Sequence, residues 1–289
     1  MNIHAFFDRP TCTLTYLVWD ADTLDAVVID PVLDFDPVAV RVSSGSLEAL
    51  AAFVRDRGLR VHWTLDTHVH ADHLSGAQFI REHLGAKSAI GSRVTTVQQT
   101  FATMFNLPIA TDGSQFDKLL DDEEVVAAGS LEIRTLHTPG HTPGCAVYKI
   151  QDALFTGDVM FMPDFGTGRC DFPGGSANAL FDSVSGRLYQ LPDETRVFVG
   201  HDYQPGGREL AYETTIGASK RSNKQLRADT PRDRFIQWRT ERDATLKLPR
   251  LLFQSVQINA NAGRLPEPAT NGLRYLLLPI NALPINETF

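Results

Sequence analysis

Thr67-His68-Val69-His70-Ala71-Asp72-His73 is the stretch that decides the fold. Within it, His68-x-His70-x-Asp72-His73 places four metal-capable side chains in six positions. Arg60-Val61-His62-Trp63-Thr64-Leu65 reads as a strand running directly into it. Alternation aims His68 and His70 the same way, and the Asp72-His73 step turns two further groups toward the same cleft. A lone histidine is more often structural than a ligand. Four such groups buried together without a metal would each need a separate polar partner, which is costly.

Three later places share that character. Pro139-Gly140-His141-Thr142-Pro143-Gly144 holds a histidine between two turn-forming pairs, so its backbone is tightly specified. Phe155-Thr156-Gly157-Asp158 sets a carboxylate just past a strand end, and Gly200-His201-Asp202 repeats the design. Each is a weak signal alone, but groups at the ends of strands are placed as sites in layered α/β proteins usually are. His4, His62, His83 and His137 lack such surroundings and read as structural or surface residues, with His137 close enough in sequence to support His141.

The remaining pattern is α/β. Strands are expected over 14–19, 25–30, 133–136, 146–150, 153–156 and 196–199, and helices from Ser46 to Gly58, 76–83 and 177–188. After about residue 209 the chain reads as charged helix (209–221, 232–246) and then as a loop-rich stretch with Pro266, Pro268, Pro279 and Pro284. No linker divides it, so one domain over 1–289 with a C-terminal extension is expected.

A net charge of -8 argues against general binding to nucleic acid or an anionic membrane, so cations for an anionic substrate must be gathered locally. Cys12, Cys145 and Cys170 are odd in number and far apart, which suits a reducing compartment. All three are expected to be structural, Cys12 and Cys145 as small buried residues beside strands. With no signal-like N-terminus and no long apolar run, a cytoplasmic location is expected.

Taken in order, His68-x-His70-x-Asp72-His73, Gly140-His141, Thr156-Gly157-Asp158 and Gly200-His201 resemble the signature of the metallo-β-lactamase superfamily over about residues 11–205. The resemblance implies an αββα sandwich, two sheets between helices, with metals at one end. Seven donors (His68, His70, Asp72, His73, His141, Asp158, His201) suffice for two zinc ions bridged by Asp158. Such a pair would generate hydroxide against a glutathione thioester, as in glyoxalase II.

Other segments resemble the persulfide dioxygenase branch of the family: Thr11 to Leu17, Ala26 to Leu33, Gly200-His201-Asp202-Tyr203 and, most discriminating, Gly168-Arg169-Cys170-Asp171-Phe172. Cys170 stands where a small hydroxylated residue is common. This resemblance implies one Fe(II) per chain, held by His68, His141 and Asp158, and oxidation of glutathione persulfide with O2 to sulfite and glutathione. Two imidazoles and a carboxylate leave positions open for persulfide and O2, whereas zinc has no redox chemistry. His70, Asp72, His73 and His201 would then orient ligands and water or hold a second metal.

For the carboxylates of glutathione the expected contacts are Arg169, Tyr203, Arg221 and Lys224. Arg221-x-x-Lys224 resembles the cation pair of glutathione-handling relatives, although a helix C-terminus attracts cations without any ligand. The family also implies a homodimer.

Overall fold

The computed structural model describes residues 1–281. β1 (Asn2–Asp8), β2 (Thr13–Trp19) and β3 (Asp25–Ile29) form an antiparallel meander. Leu14, Tyr16, Val18, Val27 and Ile29 face one core, while Leu17, Ala26 and Val28 face another. Strands buried on both faces read as continuous apolar runs, and that is how β2 and β3 stand in the sequence.

A ribbon of β4 (Val32–Asp36) and β5 (Arg41–Ser43) leads to α1 (Gly45–Asp56), which buries Leu47, Leu50, Ala51 and Val54 at helical spacing. β6 (Arg60–Asp66) lies parallel to β3, and β7 (Leu74–Ser75) pairs with β4. After α2 (Ala77–Leu84), β8 (Lys87–Gly91), α3 (Val94–Phe105) and β9 (Lys118–Leu120), the first sheet is complete in the order β1-β2-β3-β6-β8-β9. α1 and α2 cover its outer face through Leu47, Leu50, Val54 and Ile80.

β10 (Val125–Ala128), β11 (Leu131–His137), β12 (Ala146–Ile150) and β13 (Ala153–Phe155) begin the second sheet. α4 (Ala177–Phe181) and a continuing helical turn to Gln190 cross to β14 (Arg196–Phe198), which runs parallel to β13, and β15 (Glu213–Thr215) closes the edge. The two sheets face each other across one core, where the Tyr16 ring lies 5.3 Å from Phe155 and 5.6 Å from Phe198. α5 (Ile216–Ser222) follows β15, and α6 (Arg232–Asp243) packs on α4, covering the second sheet with Leu180, Val184, Leu188 and Phe235. α7 (Leu252–Asn259) packs on α3. The result is the expected αββα sandwich with C-terminal helices.

Some expectations need correction. The helix expected from 209 begins only at Ile216. Thr214 and Thr215, β-branched and beside an open sheet edge, pair with Val197 and Arg196 instead. α6 ends at Asp243 rather than near 246. α3 and α7 were not anticipated, because threonines and glutamines interrupt the first and polar residues are buried on the second (Ser255, Gln257, Asn259). Residues 260–281 carry no helix or strand, and Pro284 lies outside the described residues. Among the described residues, no helix is long and apolar enough to cross a membrane.

Candidate metal centre

β3 and β6 run side by side; Asp30 follows β3 directly and Asp66 ends β6. Past Asp66 the chain alternates: Val69 and Ala71 enter the apolar core built by α3 and α7, which leaves His68 and His70 on the other side. Their rings lie 4.1 Å apart, with His73 4.2 Å from His70 and His141 5.0 Å from His68. Donor atoms of His68, His141 and Asp158 all fall within 4.8 Å of one another, and so do those of His70, Asp72 and His73.

Each imidazole has one nitrogen occupied, which assigns the other. Thr67 donates its hydroxyl to Asp30 Oδ2 (2.9 Å), so it accepts from His68 Nδ1 at 3.0 Å. His141 Nδ1 donates to the Arg169 carbonyl at 2.7 Å, His73 Nδ1 to the Leu74 carbonyl at 3.1 Å, and His201 Nδ1 to the Cys12 carbonyl at 3.2 Å. His70 is reversed: its Nε2 donates to Asp30 Oδ1 at 3.0 Å. The inward atoms left over are His68 Nε2, His70 Nδ1, His73 Nε2, His201 Nε2, Asp72 Oδ2 and Asp158 Oδ1. All six are buried without a hydrogen-bond partner among the described residues. Buried polar atoms are almost always paired, and outer hydrogen bonds that fix ligand tautomers are the habit of metal sites, so these residues fit a bound metal.

Electrostatics agree with crowded donors. Burial, then the neighbouring His70, hold His68 well below the ordinary imidazole range, and the same two causes bring His73 down to about 4. Burial also disfavours charge on His201, but Asp158 and Asp72 outweigh it and raise the ring to about 10. His201 Nε2 lies 3.2 Å from Asp158 Oδ1 and 3.3 Å from Asp72 Oδ2. For His70, Asp30 likewise overcomes burial, to about 9. Asp158 is held well below the usual carboxylate range: burial opposes this, but His201, His141 and His68 surround it.

Two glycines let the loops close. Gly157 has φ +47 and a Cβ there would stand 2.4 Å from Thr67 Oγ1, so Asp158 reaches the cluster over a bare backbone. At Gly168 a Cβ would stand 1.9 Å from the Asp158 carbonyl oxygen, which seats the 168–172 segment against the ligand loop.

The expected substrate contacts separate. Tyr203 stacks on His201 at 5.4 Å and is 44% exposed, at the mouth of the cluster. Lys224 is exposed and its backbone N–H donates to Pro163, in the loop after Asp158. Arg169 spends its guanidinium on Asp171 (2.6 and 2.5 Å) and the Lys247 carbonyl (2.8 Å), while its own carbonyl holds His141. Arg221 lies over Gly217 near Asp193, before β14, at the end of the sheet away from the cluster. His137 Nε2 donates to the Leu120 carbonyl at 2.9 Å, apart from the cluster. Cys145 and Cys170 are buried as expected of structural thiols, but Cys12 is only half-buried, with φ +58.

Sequence reasoning missed Asp30, which fixes both Thr67 (backbone N–H at 2.7 Å) and His70. It also missed Asn259 of α7, whose amide donates to the His70 and His73 carbonyls at 2.9 and 2.8 Å. The acid after the β3 run was a visible signal for the first; nothing local marks the second. A cleft of about 460 Å³ opens beside His73, lined among others by Arg9, Asp34, Phe35 and Leu251.

Comparison with known proteins agrees with this geometry. The family described as the metallo-beta-lactamase superfamily matches residues 10–201. A probable metallo-hydrolase of Burkholderia pseudomallei is 47% identical over 98% of this chain and 100% of its own length. Glyoxylase B2 of Dictyostelium discoideum is 44% identical over 98% of each. The mitochondrial persulfide dioxygenase ETHE1 of Homo sapiens is 31% identical over 70% of this chain and 68% of its own. Among solved structures, ETHE1 from Myxococcus xanthus superposes with a TM-score of 0.73 at 32% identity, over 91% of this chain and 100% of that one. The chain belongs to the metallo-beta-lactamase superfamily, as a homologue of its persulfide dioxygenase members.

Proposed function

We propose that the protein is a persulfide dioxygenase with one non-haem Fe(II) held by His68, His141 and Asp158, acting on glutathione persulfide and O2. The observation that carries this reading is that two imidazoles and one carboxylate gather their donor atoms within 4.8 Å, with one of the imidazoles, His141, held by the Arg169 carbonyl of the dioxygenase-like segment. Persulfide dioxygenase homologues in both sequence and structure support it. Iron bound there would supply redox chemistry with positions open for the persulfide sulfur and O2.

Around that centre the chain's own groups have definite tasks. Thr67, Arg169 and Asp30 keep the tautomers of His68, His141 and His70 by their hydrogen bonds. His201 Nε2 stands between Asp158 Oδ1, at 3.2 Å, and Asp72 Oδ2, at 3.3 Å, and so joins the iron set to the second donor set. Tyr203 covers His201 from the solvent side, and Lys224, whose N–H bonds the loop after Asp158, offers an exposed cation on that loop's side. Overall, the S–S bond breaks, glutathione leaves as the thiol, and the terminal sulfur is oxidised to sulfite with both atoms of O2 and one oxygen from water.

A second reading, a dinuclear zinc hydrolase of glutathione thioesters, is favoured by the second donor set of His70, Asp72 and His73 and by the relatives named as a metallo-hydrolase and a glyoxylase. Metal analysis of anaerobically purified protein, together with O2 uptake on glutathione persulfide, separates them. About one iron per chain with O2 consumed and sulfite formed is expected from mononuclear dioxygenase sites. Two zinc per chain, with thioester hydrolysis and no O2 uptake, would overturn the proposal.

A further inference from the structure

The C-terminal helix α6 carries a buried ion pair that the chemistry above does not use. Arg239 and Asp243, one helical turn apart, have side chains only 4% and 6% exposed and bond to each other through Nη2 and Oδ1. A buried pair of this kind contributes little net stability over an apolar pair of the same size, so packing alone is a weak reason for it. Its second oxygen has a specific target. Asp243 Oδ2 accepts the Cys170 N–H at 2.7 Å.

That N–H belongs to the same peptide group whose carbonyl, on Arg169, accepts from His141 Nδ1 at 2.7 Å. One amide plane therefore links the carboxylate to the imidazole: Asp243 pulls on the N–H side, and His141 donates to the oxygen side. A peptide polarised at its N–H becomes a stronger acceptor at its carbonyl, because hydrogen bonds in series reinforce one another in a low-dielectric interior. A stronger acceptor at Nδ1–H makes Nε2 a better metal donor, as direct carboxylate partners of ligand histidines do.

The surroundings hold this plane still. Arg239 Nη1 donates to Gln225 Oε1 at 3.3 Å, and that oxygen also accepts from the Thr167 N–H and hydroxyl at 2.9 Å. Arg169 is tied to the Lys247 carbonyl beyond α6. The 167–171 segment thus meets the C-terminal extension at three points.

We infer that Asp243, neutralised by Arg239, is a positioning residue of the metal centre, orienting and strengthening His141 as a ligand through the Arg169–Cys170 peptide. The inference rests on His141 being a ligand, which the iron and zinc readings share.

The test uses Co(II) alone as probe, bound to metal-free protein and followed by its visible absorption and by competition with a chelator. In the double variant Arg239→Met/Asp243→Asn, which strands no buried cation, Co(II) affinity is expected to fall about tenfold, with an altered spectrum and an unchanged circular dichroism of the metal-free fold. Affinity and spectrum indistinguishable from wild type would overturn the inference. His141→Ala serves as the reference. If it binds Co(II) as wild type does, the ligand assignment and this inference both fall. If it loses binding and the double variant does not, only the inference about Asp243 falls.

Should the double variant not fold, the coupling is read without touching α6. The Cys170 amide proton is expected to shift between metal-free wild type and metal-free His141→Ala, and an unmoved resonance would overturn the inference.

Discussion

The two ends of β3 and β6 carry similar residues and wire them in opposite ways. At the starting end, Asp25 receives His62 Nε2 at 2.7 Å, Arg60 at 2.5 Å and the Ser130 N–H at 2.9 Å, so every oxygen has a partner. Ser130 belongs to the turn between β10 and β11, which makes Asp25 a clasp between the sheets. At the finishing end, His68, His70 and His73 use Thr67, Asp30 and the Leu74 carbonyl as partners on one side and leave their other ring nitrogens inward, unpaired. Satisfied groups hold the fold, and groups satisfied on one side only are set to bind. The presence of His and Asp does not separate the two cases; the direction of the leftover lone pairs does.

The largest expected effect comes from the unpaired end. Asp158→Ala should abolish iron binding and O2 uptake while the circular dichroism of the folded protein stays unchanged, and full retained activity would show the ligand set misassigned. Asp30→Asn is milder: Thr67 loses the charged acceptor that fixes its hydroxyl against His68 Nδ1, and metal affinity measured by chelator competition is expected to drop about tenfold. An unchanged affinity would mean that Asp30 does not steer His68 through Thr67.

The paired end should answer in stability instead. Asp25→Asn is expected to lower the thermal midpoint at pH 7 by about 3–6 °C without changing metal content. His62, Arg60 and the Ser130 N–H hold the Asp25 carboxyl well below its ordinary value. A depressed carboxyl stabilises the fold above the unfolded-state range and loses that contribution as pH falls through the folded value. The gap between wild type and variant should therefore narrow below about pH 4. A gap that widened with acid would refute the assignment.

The smallest effects concern the exposed cations. Lys224→Ala, at the metal end, is expected to raise KM for glutathione persulfide with kcat kept, whereas Arg221→Ala, over Gly217 beside Asp193, should leave both unchanged. Equal effects on KM would place Arg221 at the substrate after all.

Much of the layering was legible because β2 and β3 are buried on both faces and α1 repeats its apolar residues at helical spacing. The helix expected at 209–221 was misjudged in its first half, since nothing local reveals that β14 offers an edge for Thr214 and Thr215 to pair with. The donor cluster was legible through its spacing, but its supporting groups were not: Asn259 and Asp243 reach it from helices far along the chain.

By itself, the sequence determined which residues are available to a metal and that alternation puts His68 and His70 on one side of their loop with Val69 and Ala71 on the other. For His70, His141 and His201, only the tertiary structure decided which nitrogen faces inward, because that depends on partners (Asp30, Arg169, Cys12) brought in from separate loops. It also parted Arg221 from Lys224 and gave Arg169 a structural partner in Asp171. Local spacing sets what a side chain can do, and packing at a distance sets which of its atoms remains free to do it.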